Sequence, residues 1–130
     1  AFPNMPVKDP ALWMQQAADQ ECPGNARKKY AAENDRQFGR VRLVYNPCRS
    51  GTNTVYAVFE NYAGRGEERK FCAIGEVGGS TVEQLSPSSK GYVRIETYWH
   101  MSGSEGIVAR YELRPNGVVQ IGKAQKKLSD

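Results

Sequence analysis

The sequence predicts an α+β domain, with two short N-terminal helices followed by a mainly antiparallel, curled six-stranded sheet. Three observations carry this expectation. Between Gly91 and Lys123, apolar residues recur at every second position in three runs separated by turn-forming clusters. A period of two marks a strand with one buried face. Between Arg40 and Val77, three further runs have strand character, and ahead of them helix start and stop residues bracket two short segments. At 130 residues the chain has the size of one domain, residues 1–130.

Asp9-Pro10 opens the first helix. Asp can accept hydrogen bonds from the unpaired N–H groups of the first turn, and Pro suits the first helical position. This helix runs through Trp13 and Met14 to about Glu21, with Trp13 and Ala17, and Met14 and Ala18, one turn apart on an apolar stripe; Pro23-Gly24 ends it. Asn25 is placed to cap a second helix, Ala26 to Gln37, which Gly39 stops.

The first strand is expected over Arg40–Asn46, with Val41, Leu43 and Tyr45 on one face. Asn46–Asn53 is a loop of turn residues. The second strand, Thr54–Tyr62, is apolar on both faces, as a central strand covered on two sides would be. Ala63–Gly66 turns the chain into a third strand, Glu68–Val77. A long connection follows from Gly78 to Lys90, with a short helical turn expected at Thr81–Leu85.

The last three strands form a meander whose register can be argued. A one-residue slip would turn a strand's apolar set outward. A three-residue loop over Ser102–Ser104 places Trp99 opposite Ile107, Thr97 opposite Ala109 and Ile95 opposite Tyr111. It also sets Glu96 against Arg110 and Arg94 against Glu112, pairs of opposite charge contributing about 0.2–1 kcal/mol each. A two-residue shift would oppose Glu96 to Glu112. A three-residue turn over Pro115–Gly117 would pair Tyr111 with Ile121. On this reading Ile95 and Trp99 are buried, and Arg94 and Glu96 lie on the outer face.

The three cysteines, Cys22, Cys48 and Cys72, match no zinc spacing, and His100 is the only histidine. No metal site and no cofactor are expected. A second helix and first strand of nearly equal length would bring Cys22 back beside Cys48, so the expected bridge is Cys22–Cys48, with Cys72 outside it. The start at Ala1-Phe2-Pro3, without Met, fits a mature chain after removal of an export signal; a shortened piece would begin the same way. With a bridge, this points to a periplasmic or secreted protein. No apolar run approaches the ~18–20 residues of a membrane-spanning helix.

Charge is concentrated. The window Ala26–Ser50 holds Arg27, Lys28, Lys29, Arg36, Arg40, Arg42 and Arg49 against Glu33 and Asp35, an excess larger than the +4 of the whole chain. This Arg27–Arg49 region could meet nucleic acid or phosphate, although Tyr30 is the only aromatic residue among its first basic residues. Gly78-Gly79-Ser80-Thr81 could form a backbone nest for an anion but lacks the lysine and spacing of a phosphate loop. Glu67 and Glu68 are neighbours pointing to opposite sides of a strand, the wrong arrangement for paired acid–base chemistry. His100, with Ser102, Ser104 and Glu105 nearby, admits a small hydrolase reading, without any nucleophile-elbow sequence to support it.

The remaining feature is the outer face of the meander. Tyr92, Tyr98 and His100 stand there with Arg94 and Arg110, close to Ser102 and Ser104. Tyrosine and arginine are favoured at interface centres. The expected function is therefore a small exported, non-catalytic protein-binding domain, an inhibitor or immunity-type protein that neutralises a partner such as a cell-wall hydrolase or a toxin. The nucleic-acid binder and the small hydrolase are the alternatives.

Overall fold

The computed structural model describes residues 6–23, 30–61, 71–115 and 117–127. Its strands form two antiparallel sheets rather than one curled sheet of six. Sheet I is ordered β1 (Pro6–Val7), β5 (Phe71–Gly79), β4 (Thr54–Asn61), β3 (Val41–Tyr45) and β2 (Arg36–Phe38); the two-residue β1 is only an edge fragment. Sheet II is ordered β6 (Thr81–Leu85), β7 (Val93–Ser102), β8 (Glu105–Arg114) and β9 (Gly117–Lys127). One α-helix, α1 (Pro10–Glu21), completes the described architecture.

The two expected N-terminal helices reduce to one. Asp9 caps α1 as expected, its Oδ1 accepting from the N–H groups of Ala11 and Leu12. The second expected helix falls partly on residues 24–29, outside the described residues. Its remainder is a short 3-10 turn, Ala32–Asn34, followed by β2. The cause is Asp35. Its carboxylate accepts from the Tyr30 hydroxyl, from Arg42 Nη2 at 2.9 Å and from the Tyr45 N–H at 3.0 Å. These bonds tie the segment to β3, where Arg36 pairs with Leu43 and Phe38 with Val41. Gly39, at φ +59°, is the turn of this hairpin and not a helix stop. Burial with the opposing Asp35 carboxylate pushes the Tyr30 phenol far above its ordinary value, so it stays a donor.

Thr81–Leu85, expected as a helical turn, is strand β6. It pairs with β7, burying Val82 opposite Thr97 while Thr81 and Glu83 stay exposed. This segment gives the meander a fourth strand. With β2 it raises the six expected strands to eight, beside the β1 fragment.

The two sheets pack face to face. Phe38, Val41, Leu43, Val58, Ile74 and Val77 of sheet I meet Val82, Ile95 and Leu113 of sheet II. Each fully buried aliphatic side chain contributes about 1.5–3 kcal/mol. The opposite face of sheet I is covered by α1, whose Met14 packs with Val44, Ala57, Phe59 and Ala73. Trp13 meets the Phe59 ring edge-on at 5.3 Å between centroids. The apolar residues on both faces of the Thr54–Asn61 strand serve these two layers.

The meander register is as expected through β7 and β8: Ile95 with Tyr111, Glu96 with Arg110, Thr97 with Ala109, Trp99 with Ile107 and Arg94 with Glu112. The turns differ. Ser102 pairs with Glu105, and a bulge near Met101 absorbs the odd residue. Arg114 pairs with Gly117, one residue tighter than expected, and a second bulge places Gln120, not Ile121, opposite Tyr111. A bulge preserves the face of the flanking residues while changing the count.

Cys22 and Cys48 are joined, with their Cα atoms 6.0 Å apart, and Cys72 is buried on β5. The pairing is the expected one, but its geometrical cause is different. The end of α1 meets the 3-10 turn Pro47–Arg49 that follows β3. Cys22 caps α1 through its N–H to Ala18 O, and the Cys48 N–H donates to Asn46 Oδ1. Beside the bridge, Arg49 Nε donates to Glu21 Oε2 at 2.9 Å.

The pairing of Cys22 with Cys48 closes a loop of sequence separation 26. Replacing both with alanine should lower unfolding stability by about 3 kcal/mol through the freed chain entropy. Urea melts of the oxidised parent and the double variant measure it. Ile95, fully buried, should cost about 3 kcal/mol on truncation to alanine. Trp99→Ala should cost less than about 1.5 kcal/mol, because its side chain is only partly covered. Equal losses in the same melts would show that Trp99 belongs to the core.

Candidate functional site

Sheet II has two faces with different chemistry, and the sequence-predicted residues divide between them. Cross-strand pairing puts Arg94, Glu96, Tyr98 and His100 of β7 on the outer face with Gly106, Val108, Arg110 and Glu112 of β8. No described element covers this face as α1 covers sheet I.

Its charges are paired within the sheet. Arg110 Nε donates to Glu96 Oε2 at 2.8 Å. Glu112 receives Arg94 on one oxygen and Arg114 on the other, at 3.0 and 2.8 Å, with only 8% of its side chain exposed. The Arg114 bond, then the Arg94 bond, hold the Glu112 carboxyl below its usual range against the opposing effect of desolvation. Arg114 also stacks over the Tyr92 ring at 5.9 Å.

Tyr98 is fixed from below. Its ring lies so close on Gly106 that a Cβ at that position would collide with it. Its hydroxyl is buried without a hydrogen-bond partner. His100 stands 6.5 Å from Tyr98, centroid to centroid. The backbone of His100 is gripped on both polar atoms by Asn53: the N–H donates to Oδ1 and the carbonyl accepts from Nδ2, both at 2.8 Å. One side chain from the β3–β4 loop thus imitates a paired strand and fastens sheet I to the end of sheet II.

The expected cluster of Tyr98, His100 and Arg110 is therefore on one face, with Ser102 and Ser104 exposed at its tip and Tyr92 and Arg94 at its other end. The hydrogen bonds found at His100 are those of its backbone; none in the described residues joins its ring to Ser102, Ser104 or Glu105. The basic window is described only in part, and Arg40 lines a cleft beside Glu60. Arg27, Lys28 and Lys29 lie outside the described residues. Of the others, Arg42 is paired with Asp35, Arg49 with Glu21, and Arg36 stacks on Phe38 at 5.2 Å. The Gly78–Thr81 segment spends the Ser80 N–H on the Tyr98 carbonyl. Ala63–Gly66 and Glu67-Glu68 lie outside the described residues.

Trp99 departs from expectation. It is on the inner face, yet 39% exposed; Met101, in the bulge, is 56% exposed. The long strands of sheet II reach past the covered region, leaving a cleft of about 320 Å³ between the sheets at this end. A period of two marks the face but not the length over which the opposite sheet covers it. Glu60 has no distinguishing signal in the sequence. It lies at the other end of the inter-sheet layer, 7% exposed, beside a smaller cleft with Arg40, Lys90 and Tyr92. Burial pushes its carboxyl above the ordinary 4.5, the charge of Arg40 opposing this in part.

Because the folded Glu60 keeps its proton to higher pH than the unfolded chain does, folding takes up a proton between the two values. Stability should therefore fall as pH rises from 4.5 through the folded value. Glu60→Gln should melt higher than the parent at pH 7 and match it near pH 4. Melting curves across that range measure it; a Gln variant less stable than the parent at pH 7 would contradict the burial argument.

Among the described residues, no helix is long and apolar enough to cross a membrane, and no group of three or more His, Cys, Asp or Glu residues could hold a metal ion. Compared with protein-family models, with curated proteins and with solved structures, the chain matches none.

Proposed function

We propose that this chain is an exported, periplasmic or secreted, non-catalytic binding domain of the inhibitor or immunity type. It neutralises a protein partner, such as a cell-wall hydrolase or a toxin, by docking it on the outer face of sheet II. The observation that carries this reading is the internal pairing of that face's charges. Burying an unpaired ion costs several kcal/mol. Here Arg110 is already joined to Glu96, and Arg94 and Arg114 to Glu112, so a partner can cover the face without stranding those charges.

The aromatic residues supply the contact. Tyr98 is held rigid over Gly106, and its ring presents the aromatic contact surface at the centre of the face. Rigid aromatic anchors cost little entropy on binding. Ten-residue strands give a face about 33 Å long and, over four strands, about 15 Å across. That is at most roughly 500 Å² in projection, more than half of the ~800 Å² per partner of an ordinary interface. The Cys22–Cys48 bridge supports the exported location, since such bridges persist in oxidising compartments.

The test is affinity capture of a partner from periplasmic or secreted extract, followed by calorimetry with variants. Tyr98→Ala should weaken binding about thirtyfold, and Arg110→Ala should weaken it as well by leaving Glu96 unpaired. Leu12→Ala, on the exposed side of α1, should leave binding unchanged. Unchanged affinity for both sheet II variants removes the outer face from the reading. Turnover of a substrate that stops on His100→Ala would replace the inhibitor reading with the hydrolase.

A further inference from the structure

We propose that the open inter-sheet cleft beside Trp99 is a binding site for a small amphipathic carboxylate, a molecule with an apolar body and one anionic end. The site is separate from the outer face of sheet II and does not depend on it.

The cleft's floor is the inner face of sheet II, and the register fixes its layout. Trp99, Ile107 and Gln125 form one row across β7, β8 and β9; Thr97, Ala109 and Lys123 form the next; Ile95, Tyr111 and Gln120 the third. The β7 and β8 columns are apolar apart from the buried Thr97 and the Tyr111 phenol, and the β9 column is polar. The opposite wall is the end of β5, Glu76 to Gly78, with Val55 of β4.

Trp99 is the shaped part of the floor. Its six-membered ring lies on Gly78, where a Cβ would come within 2.9 Å of it. The indole is therefore held in place by backbone while more than a third of it faces water. A large aromatic surface kept partly exposed on a rigid strand forfeits burial energy that an apolar ligand can recover.

Charge selects the anion. Lys123 shares its face with Ala109, lines the cleft and makes no ion pair among the described residues. Glu76, the one acid in the lining, stands opposite Ala57, a residue of the helix-side cluster. Its charge acts on Arg49, which is held chiefly by Glu21. The amine is thus the charge offered to a ligand lying along Trp99 and Ile107. At about 320 Å³ the cleft lies at the small end of the usual range for ligand sites, ~300–1,000 Å³.

Decanoate, decanol and decyltrimethylammonium, all below their micelle concentrations, form the test set for the intact oxidised chain. They share an apolar body and differ in the head group. Titrations are followed by tryptophan fluorescence and by calorimetry. Decanoate should bind with a change in fluorescence, about fivefold tighter than decanol, the value of one exposed ion pair. The cationic amphiphile should bind no better than decanol. Trp99→Phe should abolish the fluorescence response while calorimetry still records binding. Lys123→Gln should bring decanoate to the affinity of decanol, and Lys123→Glu should turn the preference to the cationic amphiphile. Equal affinity for decanoate and decanol in the parent, a fluorescence response that survives Trp99→Phe, or a preference that survives Lys123→Gln would each overturn the proposal. So would the absence of decanoate binding. None of these results bears on partner affinity measured with Tyr98→Ala, so the two readings fail separately.

Discussion

The architecture depends on the burial of one side of β7. Ile95 and Thr97 are fully enclosed between the sheets, and a strand's side chains alternate without exception over a regular stretch. Arg94, Glu96 and Tyr98 must therefore project away from sheet I. The neighbouring strand then has to satisfy two conditions at once: apolar residues opposite Ile95 and Thr97, and charges of the right sign opposite Arg94 and Glu96. Only one register of β8 meets both, and it is the one observed. Hydrophobic burial selects the face; electrostatics, although worth less per pair, selects the alignment along the strand. Sheet I, α1 and the bridge are arranged around this fixed plane.

What can be read from the sequence follows the range of the interactions involved. The cap of α1, the strand cores and the β7–β8 register rest on residues close in sequence or on a strict period, and these are legible. The segment from Tyr30 to Phe38 is not. Its helix propensity is overruled by Asp35, which bonds to Arg42 and to the Tyr45 N–H across a hairpin. Thr81–Leu85 reads as a helical turn because an exposed edge strand with a single buried residue, Val82, carries almost no periodic signal. The Cys22–Cys48 pairing follows in the sequence from the length of a second helix, yet no such helix is present among the described residues. What joins the two cysteines is the contact between the end of α1 and the Pro47–Arg49 turn, a tertiary fact.

The candidate site shows the same division. The parity of β7 alone assigns Tyr98, His100 and Arg94 to one face. It cannot reveal that Tyr98 rests on Gly106, that Arg114 joins Arg94 on Glu112, or that sheet I covers Trp99 only in part, at Gly78. Each depends on how far another strand extends, or on which residue stands two strands away. Glycine is the one local clue. Gly106 and Gly78 both sit inside strands, where the residue is otherwise unfavourable, and both receive an aromatic ring.

The amide of Asn53 has a mechanical consequence. It bonds to both backbone polar atoms of His100, and the short stretch from Arg49 to Thr52 is all that separates it from Cys48, whose sulfur is anchored to the end of α1. The helix terminus, the loop and the tip of β7 are thus joined in series across both sheets. The covalent anchor on the helix and the polar grip on the end of sheet II therefore sit five residues apart on one short segment, Cys48 to Asn53.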